Sequence, residues 1–308
     1  MSGGLHRPPS AAAALGNELR RRSLRGVKRL VRPVWMRRLA ARNAGSAERV
    51  TGTGPVVSVT TYEPRWPRVF YTLESIAAGT LKPARLMLWV APSVLALGTP
   101  RELERLVARG LEIRSCEDLG PHKKYFPAVM EGSAPQGLVT ADDDVLYPPD
   151  WLASLDAAAR ARPGHVHAHR AHVVAFEPDG RFRPYASWPA CRSTAPSALH
   201  FTTGVGGVWF PPAMQDALRA AGDGFRSVCP RADDIWLNAN ALRAGIAVCQ
   251  VAPFHPLLFE IPGTRAHGLA KHNVETGGND RQLAATYGDA ERAHLRALAA
   301  QEYGGQAA

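Results

Sequence analysis

The chain of 308 residues is long enough for one large domain or two small ones, and its 45% apolar content supplies a core. Its net charge of +10 lies wholly in the first 50 residues, where 12 Lys/Arg face only Glu18 and Glu48; the remainder balances at 25 basic and 25 acidic residues. That distribution speaks against a nucleic-acid partner for the folded body, and four cysteines without C-x-x-C spacing speak against zinc or a disulfide scaffold.

Residues 1–17 are low in complexity and expected to be disordered. In residues 18–42, Leu19, Leu24, Val27, Leu30, Val31, Val34, Trp35 and Leu39 recur at roughly helical spacing among many Arg and Lys. Pro33 is expected to kink or divide such a helix. A basic amphipathic segment with a Trp suits peripheral contact with an anionic inner-membrane surface, or docking on the chain's own body. With no secretory apolar region and no apolar run of about 18 residues, a cytoplasmic protein with free thiols is expected.

From residue 55 strands alternate with helices. "PVVSVTTY" reads as a strand, "RVFYTLESIAAG" as a helix closed by Gly79, "RLMLWVA" as a strand and "PRELERLVARG" as a helix closed by Gly110. "LEIRSC" is a third strand, "HKKYFPAVMEG" holds a short helix, and "QGLVTA" is a fourth, fully apolar strand. Short apolar strands separated by amphipathic helices predict a mostly parallel sheet, with ligands gathering outside the strands' carboxyl ends. "TTY" (60–62) and "ADDD" (141–144) both lie at such ends. Further on, "HVHAHRAHVVAF" alternates like a strand, "TTGVGGVWFPP" is a Gly-rich loop leading into a strand, "RADDIWLNANALRAG" is a helix closed by Gly245, and "IAVCQV" is a strand.

Three adjacent carboxylates, Asp142, Asp143 and Asp144, repel one another and call for a cationic partner. Alternate residues at a strand end point the same way, so Asp142 and Asp144 can reach one cation while Asp143 turns aside. Mg²⁺ or Mn²⁺ takes oxygen ligands and binds few carboxylates together with substrate phosphates. Asp150, ahead of Trp151, reads as a helix cap. On one strand His165, His167 and His169 would share a face, which could bind zinc, or His169 and Arg170 could border the cleft. Trp188 and Trp209 can stack on a sugar or lie in the core.

In order along the chain, "SVTTYEPR", "TLESIAAGTLKPARLMLWV", "EDLGPHKKYFPAV", "TADDDVLYPPDWL", "TTGVGGVWFPP" and "ADDIWLNANAL" resemble bacterial GT-A type glycosyltransferases, close to the family 2-like group acting on surface polysaccharides. The resemblance spans about residues 55–262. It implies an α/β, GT-A-like nucleotide-sugar-binding fold, a nucleoside-diphosphate sugar donor, a glycan or glycolipid acceptor, and Mn²⁺ or Mg²⁺. It places Thr60, Thr61, Tyr62 and Arg65 at the nucleotide, Asp142 near the ribose and Asp144 on the metal, with Asp143 in the donor set. Lys123 and Lys124 become donor phosphate contacts, with Lys124 preferred. Asp234 becomes the general base of an inverting transfer, and Asp233 a cap or acceptor contact. Gly206, Gly207 and Trp209 fall on the acceptor side. His255 or His272 becomes an extra metal ligand, and "KHNVETGGND" a lid.

The expected division is a basic tail (1–50), a transferase domain (51–265) and a lid or helical extension (266–308). Two rival readings are a Mg²⁺-dependent nucleotidyl- or phosphotransferase and a non-catalytic membrane-binding adaptor. The absence of G-x-x-x-x-G-K-[ST] counts against P-loop members of the first.

Overall fold

The computed structural model describes residues 11–264 and 277–303. Its strands are β1 (Val56–Thr60), β2 (Leu86–Val90), β3 (Leu111–Ser115), β4 (Leu138–Ala141), β5 (Val145–Leu146), β6 (Val166–Ala168), β7 (Ala171–Val173), β8 (His200–Thr202), β9 (Val208–Phe210), β10 (Val248–Gln250) and β11 (Phe259–Glu260). Its α-helices are α1 (Ala11–Gly45), α2 (Val69–Ala77), α3 (Pro92–Leu95), α4 (Arg101–Ala108), α5 (Phe126–Met130), α6 (Trp151–Ala161), α7 (Pro212–Ala221), α8 (Phe225–Val228), α9 (Asp233–Arg243), α10 (Gly278–Thr286) and α11 (Asp289–Tyr303).

Seven strands form one sheet in the order β10-β6-β9-β4-β1-β2-β3. Every neighbouring pair is parallel except those of β9, which runs antiparallel to β4 and to β6. The carboxyl ends of β1, β4, β6 and β10 and the amino end of β9 therefore open on one edge. The expected α/β class, a mostly parallel sheet flanked by helices, is what the chain adopts.

Alternation along the strands explains why both faces are covered. Leu86, Leu88 and Val90 of β2 join one core with Val57, Val59, Val69, Leu73 and Leu106, and Met87 and Trp89 join the opposite core with Val129, Met214 and Ile235. Leu283, Tyr287 and Leu295 also lie in that second core, so α10 and α11 are packed parts of the body. Among the described residues, no helix is long and apolar enough to cross a membrane. All four cysteines are free thiols.

Several local expectations change. Helix α1 continues through Pro33 and includes residues 11–17. Its last turns are no tail: Leu39 is buried against Leu146, Phe259 and Ile261, and Trp35 meets Phe259 edge-to-face at 5.4 Å. Asn43 Nδ2 donates to buried Glu74 at 3.0 Å, and Glu74 is ion-paired with Arg109. Gly110 and Gly245 do end their helices at positive φ, whereas Gly79 is not at positive φ and is only crowded, an added Cβ sitting 3.1 Å from the Ile76 and 3.2 Å from the Pro149 carbonyl oxygen. Asp150 occupies the N-cap position of α6 without a side-chain capping bond.

The histidine segment is two strands. The chain leaves the main sheet at His169–Arg170, and β7 pairs with β8 in a separate ribbon. His165, His167 and His169 each set a ring nitrogen against a backbone carbonyl, of Pro163, Arg162 and Trp151 respectively. All three face α6 or the turn after it, and His165 and His167 have ring centroids 6.5 Å apart, but among the described residues they form no metal-holding group.

Candidate functional site

The end of β4 is fixed before its carboxylates are considered. The Tyr147 hydroxyl, buried beneath the loop, accepts the Asp142 N–H at 2.8 Å. Thr72 Oγ1 donates towards the carbonyls of Asp143 (2.9 Å) and Val145 (2.8 Å). Asp143 points back to β1 and is buried, accepting from Thr61 Oγ1 at 2.6 Å and from Arg65 Nη1 at 2.5 Å. Arg65 Nη2 also pairs with Asp144 Oδ2 at 2.9 Å, and its guanidinium lies 5.3 Å over the Tyr62 ring. Thr60 uses its hydroxyl on the Trp89 carbonyl at 2.8 Å.

A second cation faces the other way. Lys124, on the 3-10 turn Gly120–Lys124, is buried with Nζ 3.1 Å from Asp142 Oδ1 and 2.9 Å from Asp233 Oδ2. Asp233 is thus no cap; both acids stand in the first turn of α9, where the helix dipole favours negative charge. Asp234 Oδ1 accepts the Gly204 N–H at 2.8 Å, and its backbone carbonyl accepts from Asn238 at 2.7 Å. Gly204 packs so closely that an added Cβ would lie 2.6 Å from Lys124 Nζ and 3.2 Å from Asp234 Oδ1.

Five carboxylates (Asp142, Asp143, Asp144, Asp233 and Asp234) therefore converge around two cations, Arg65 and Lys124. The shortage of positive charge shows in their ionisation. Burial pushes Asp144 up to about 7, with Arg65 opposing and Asp143 and Asp142 adding to it. Burial pushes Asp234 up to about 8, reinforced by Asp233 and opposed by Lys124. Burial also raises Asp143, against the pull of Arg65 and Thr61. Burial acts to lower Lys124, but Asp142, Asp233 and Asp234 hold it well above an ordinary lysine.

An all-oxygen set short of positive charge fits a hard divalent cation. Among the described residues no three His, Cys, Asp or Glu side chains are grouped to hold a metal by themselves. Asp142 and Asp144 would be the residues to hold such a cation, with its remaining oxygens from substrate and water. His255 is not part of that set. It is exposed on the loop after β10, sets Nδ1 against the Pro256 carbonyl, and lies near enough to His172 for its charge to act there. His272 and residues 271–276 of the expected lid lie outside the described residues.

No family model and no curated protein matches the sequence. Many solved structures are similar to it, among them two at 12% and 13% identity. One is S. aureus TarS 1-349, at 12% identity over 78% of this chain and 68% of that one, with a TM-score of 0.44. The other is glucosyl-3-phosphoglycerate synthase from Mycobacterium tuberculosis in complex with Mn²⁺, UDP and phosphoglyceric acid, at 13% identity over 80% and 82% of the two chains, also with a TM-score of 0.44.

Other expected site residues are placed elsewhere. Lys123 is ion-paired with Asp118, away from Asp142. The Trp209 indole covers Gly137 at the opposite end of β4, where an added Cβ would come within 2.1 Å of the ring. Trp188 is buried against Phe182 and Phe201. Gly206 and Gly207 serve Trp151: the Gly206 carbonyl accepts its Nε1–H at 2.5 Å, and a Cβ on Gly207 would lie 2.5 Å from its ring. Sequence reasoning missed Gly204, Thr72 and Tyr147. Gly204 is the first glycine of "TTGVGG" and Tyr147 follows the aspartates in "DVLY", signals that were present; Thr72 acts on residues distant in sequence.

Proposed function

We propose that the chain is a metal-dependent GT-A type glycosyltransferase that moves a sugar from a nucleoside-diphosphate donor to a hydroxyl of a glycan or glycolipid, with inversion. The observation that carries this reading is the convergence of Asp142, Lys124 and Asp234 around Gly204 at one sheet edge, with Asp144 close by in the chain on Arg65. Tyr62 and Arg65, at the end of β1, are suited to the nucleotide's base and ribose. Asp142 and Asp144 would hold Mg²⁺ or Mn²⁺, which when bound supplies charge neutralisation for the leaving diphosphate. Lys124 adds a fixed positive charge beside Asp142.

Asp234 is the general base. Its raised pKa suits proton abstraction from an acceptor hydroxyl near neutral pH, and the Gly204 N–H fixes one carboxylate oxygen. Gly204, with no Cβ, lets Lys124 and the carboxylates of Asp234 and Asp142 close on the loop backbone. In Asp234→Asn, turnover of a nucleotide sugar with acceptor should fall by about 10²–10⁴ while nucleotide affinity stays within a few-fold. Equal loss of turnover and affinity would assign Asp234 a structural role.

The same reading places the enzyme at a membrane surface through α1. Leu30 (75% exposed), Val31 and Val34 stand uncovered on a helix rich in Arg and Lys. Flotation with anionic but not neutral vesicles is the expected outcome.

A further inference from the structure

The transferase reading leaves Arg170 without a task. Arg170 follows β6 where the chain leaves the sheet, and its carbonyl accepts the Thr203 N–H at 3.1 Å. The next residue, Gly204, donates its N–H to Asp234. Arg170 and the base thus attach to consecutive residues of one loop.

Among the described residues Arg170 has no carboxylate partner. Its Nη2 donates instead to His172 Nε2 at 3.1 Å. The other ring nitrogen of His172, Nδ1, lies 3.0 Å from the Trp188 carbonyl, which can only accept. Nδ1 therefore carries the proton and Nε2 is the acceptor, an assignment forced by the two partners. Burial, then Arg170 and His255, lower the pKa of His172 and keep the ring neutral. A neutral imidazole orients the guanidinium without cancelling its charge. Tyr185 stands against His172, ring centroids 6.2 Å apart, and both Asp234 and Arg170 act on its phenol. Arg170 and the base thus meet at one phenol as well as at consecutive residues of one loop.

We propose that Arg170, oriented by His172 and flanked by Tyr185, binds an oxyanion carried by the acceptor, a phosphate or carboxylate near the hydroxyl that Asp234 deprotonates. This rests on the transferase reading for the role of Asp234. A guanidinium presents paired N–H donors that match such an anion, and desolvation by Tyr185 and His172 strengthens the contact.

The probes are glycerol 3-phosphate and glycerol, titrated calorimetrically into the full chain with saturating UDP and Mn²⁺. The proteins are wild type, Arg170→Gln, Arg170→Lys and Arg160→Gln, the last removing an exposed arginine that pairs only with Asp156 on α6. Wild type should prefer the phosphate to glycerol. Arg170→Gln should weaken glycerol 3-phosphate by about tenfold or more, as loss of a charge-assisted hydrogen bond does. Arg170→Lys should recover part of that loss, and Arg160→Gln should match wild type. Equal binding of the two probes by wild type, or the same loss in Arg160→Gln, would overturn the proposal. So would a loss of UDP affinity in Arg170→Gln, which would give the guanidinium to the donor. A wild type that holds glycerol 3-phosphate through Arg170 but binds no nucleoside diphosphate would keep the oxyanion site and remove its role as an acceptor site.

Discussion

Lys124 sets the electrostatics of the cleft. It is the cation between Asp142 and Asp233, and its removal leaves buried carboxylates facing one another. Lys124→Met should cost about 3–5 kcal/mol of folding stability, the usual result of breaking a buried pair from one side; urea denaturation reads this directly. The carboxylates also give stability a pH dependence. Asp144 and Asp234 hold protons up to about 7 and about 8 in the folded chain, against an ordinary value of 3.8. Their contribution is complete below the ordinary value and is lost as pH rises through the folded values, because the folded state keeps protons that the unfolded chain has released. The unliganded protein should therefore melt progressively lower between about pH 5 and pH 9. Asp144→Asn should flatten that slope and add on the order of 1 kcal/mol near pH 8. A variant whose slope matches wild type would contradict this assignment.

At the scale of elements, the glycines of one loop separate folding from chemistry. Gly207 has φ +92° and packs its Cα against the Trp151 ring, so Gly207→Ala combines backbone strain with a clash and should lose about 2–4 kcal/mol of stability. At Gly204 the nearest atom to an added Cβ is Lys124 Nζ, which Asp142 and Asp233 hold in place. Gly204→Ala should cost less stability than Gly207→Ala, which adds backbone strain to a clash with a ring, and should lose turnover. Comparing melting temperature with activity in the two variants tests the distinction. These contacts also mark what the sequence could reveal. The apolar runs of β1, β2 and β4 were legible because a buried parallel strand needs little besides uninterrupted apolar residues, and three aspartates after "LVTA" pointed to the edge where a ligand belongs. The alternation expected for the three aspartates does not hold: β4 ends at Ala141, and Asp143 and Asp144 share Arg65 while Asp142 meets Lys124. The division of work within "TTGVGG", the pairing of Asp233 with Lys124 and the burial of the Trp209 ring over Gly137 depend on partners distant in sequence, which no local pattern encodes. The break at His169–Arg170 was missed for a related reason: alternation continues through it while the chain changes sheets.

At the scale of the molecule, the tail expected over residues 1–50 contains a helix whose last turns are packed on the body. The last turns of α1 cover Leu146, Phe259 and Ile261 and supply Asn43 to the buried Glu74–Arg109 pair. Deleting residues 1–26 should leave the melting temperature and turnover on a water-soluble acceptor nearly unchanged. Deleting residues 1–50 should uncover that apolar patch and destabilise the whole chain by several kcal/mol, at about 25 cal/mol per Å² newly exposed. The measurement that bears most directly on the account is the thermal stability of the full chain with UDP or GDP, with and without Mn²⁺ or Mg²⁺. Nucleotide and metal together should stabilise wild type by about 2.7 kcal/mol at a hundredfold excess over Kd, and much less in Asp144→Asn. Stabilisation by no nucleoside diphosphate, or stabilisation indifferent both to metal and to Asp144→Asn, would contradict it.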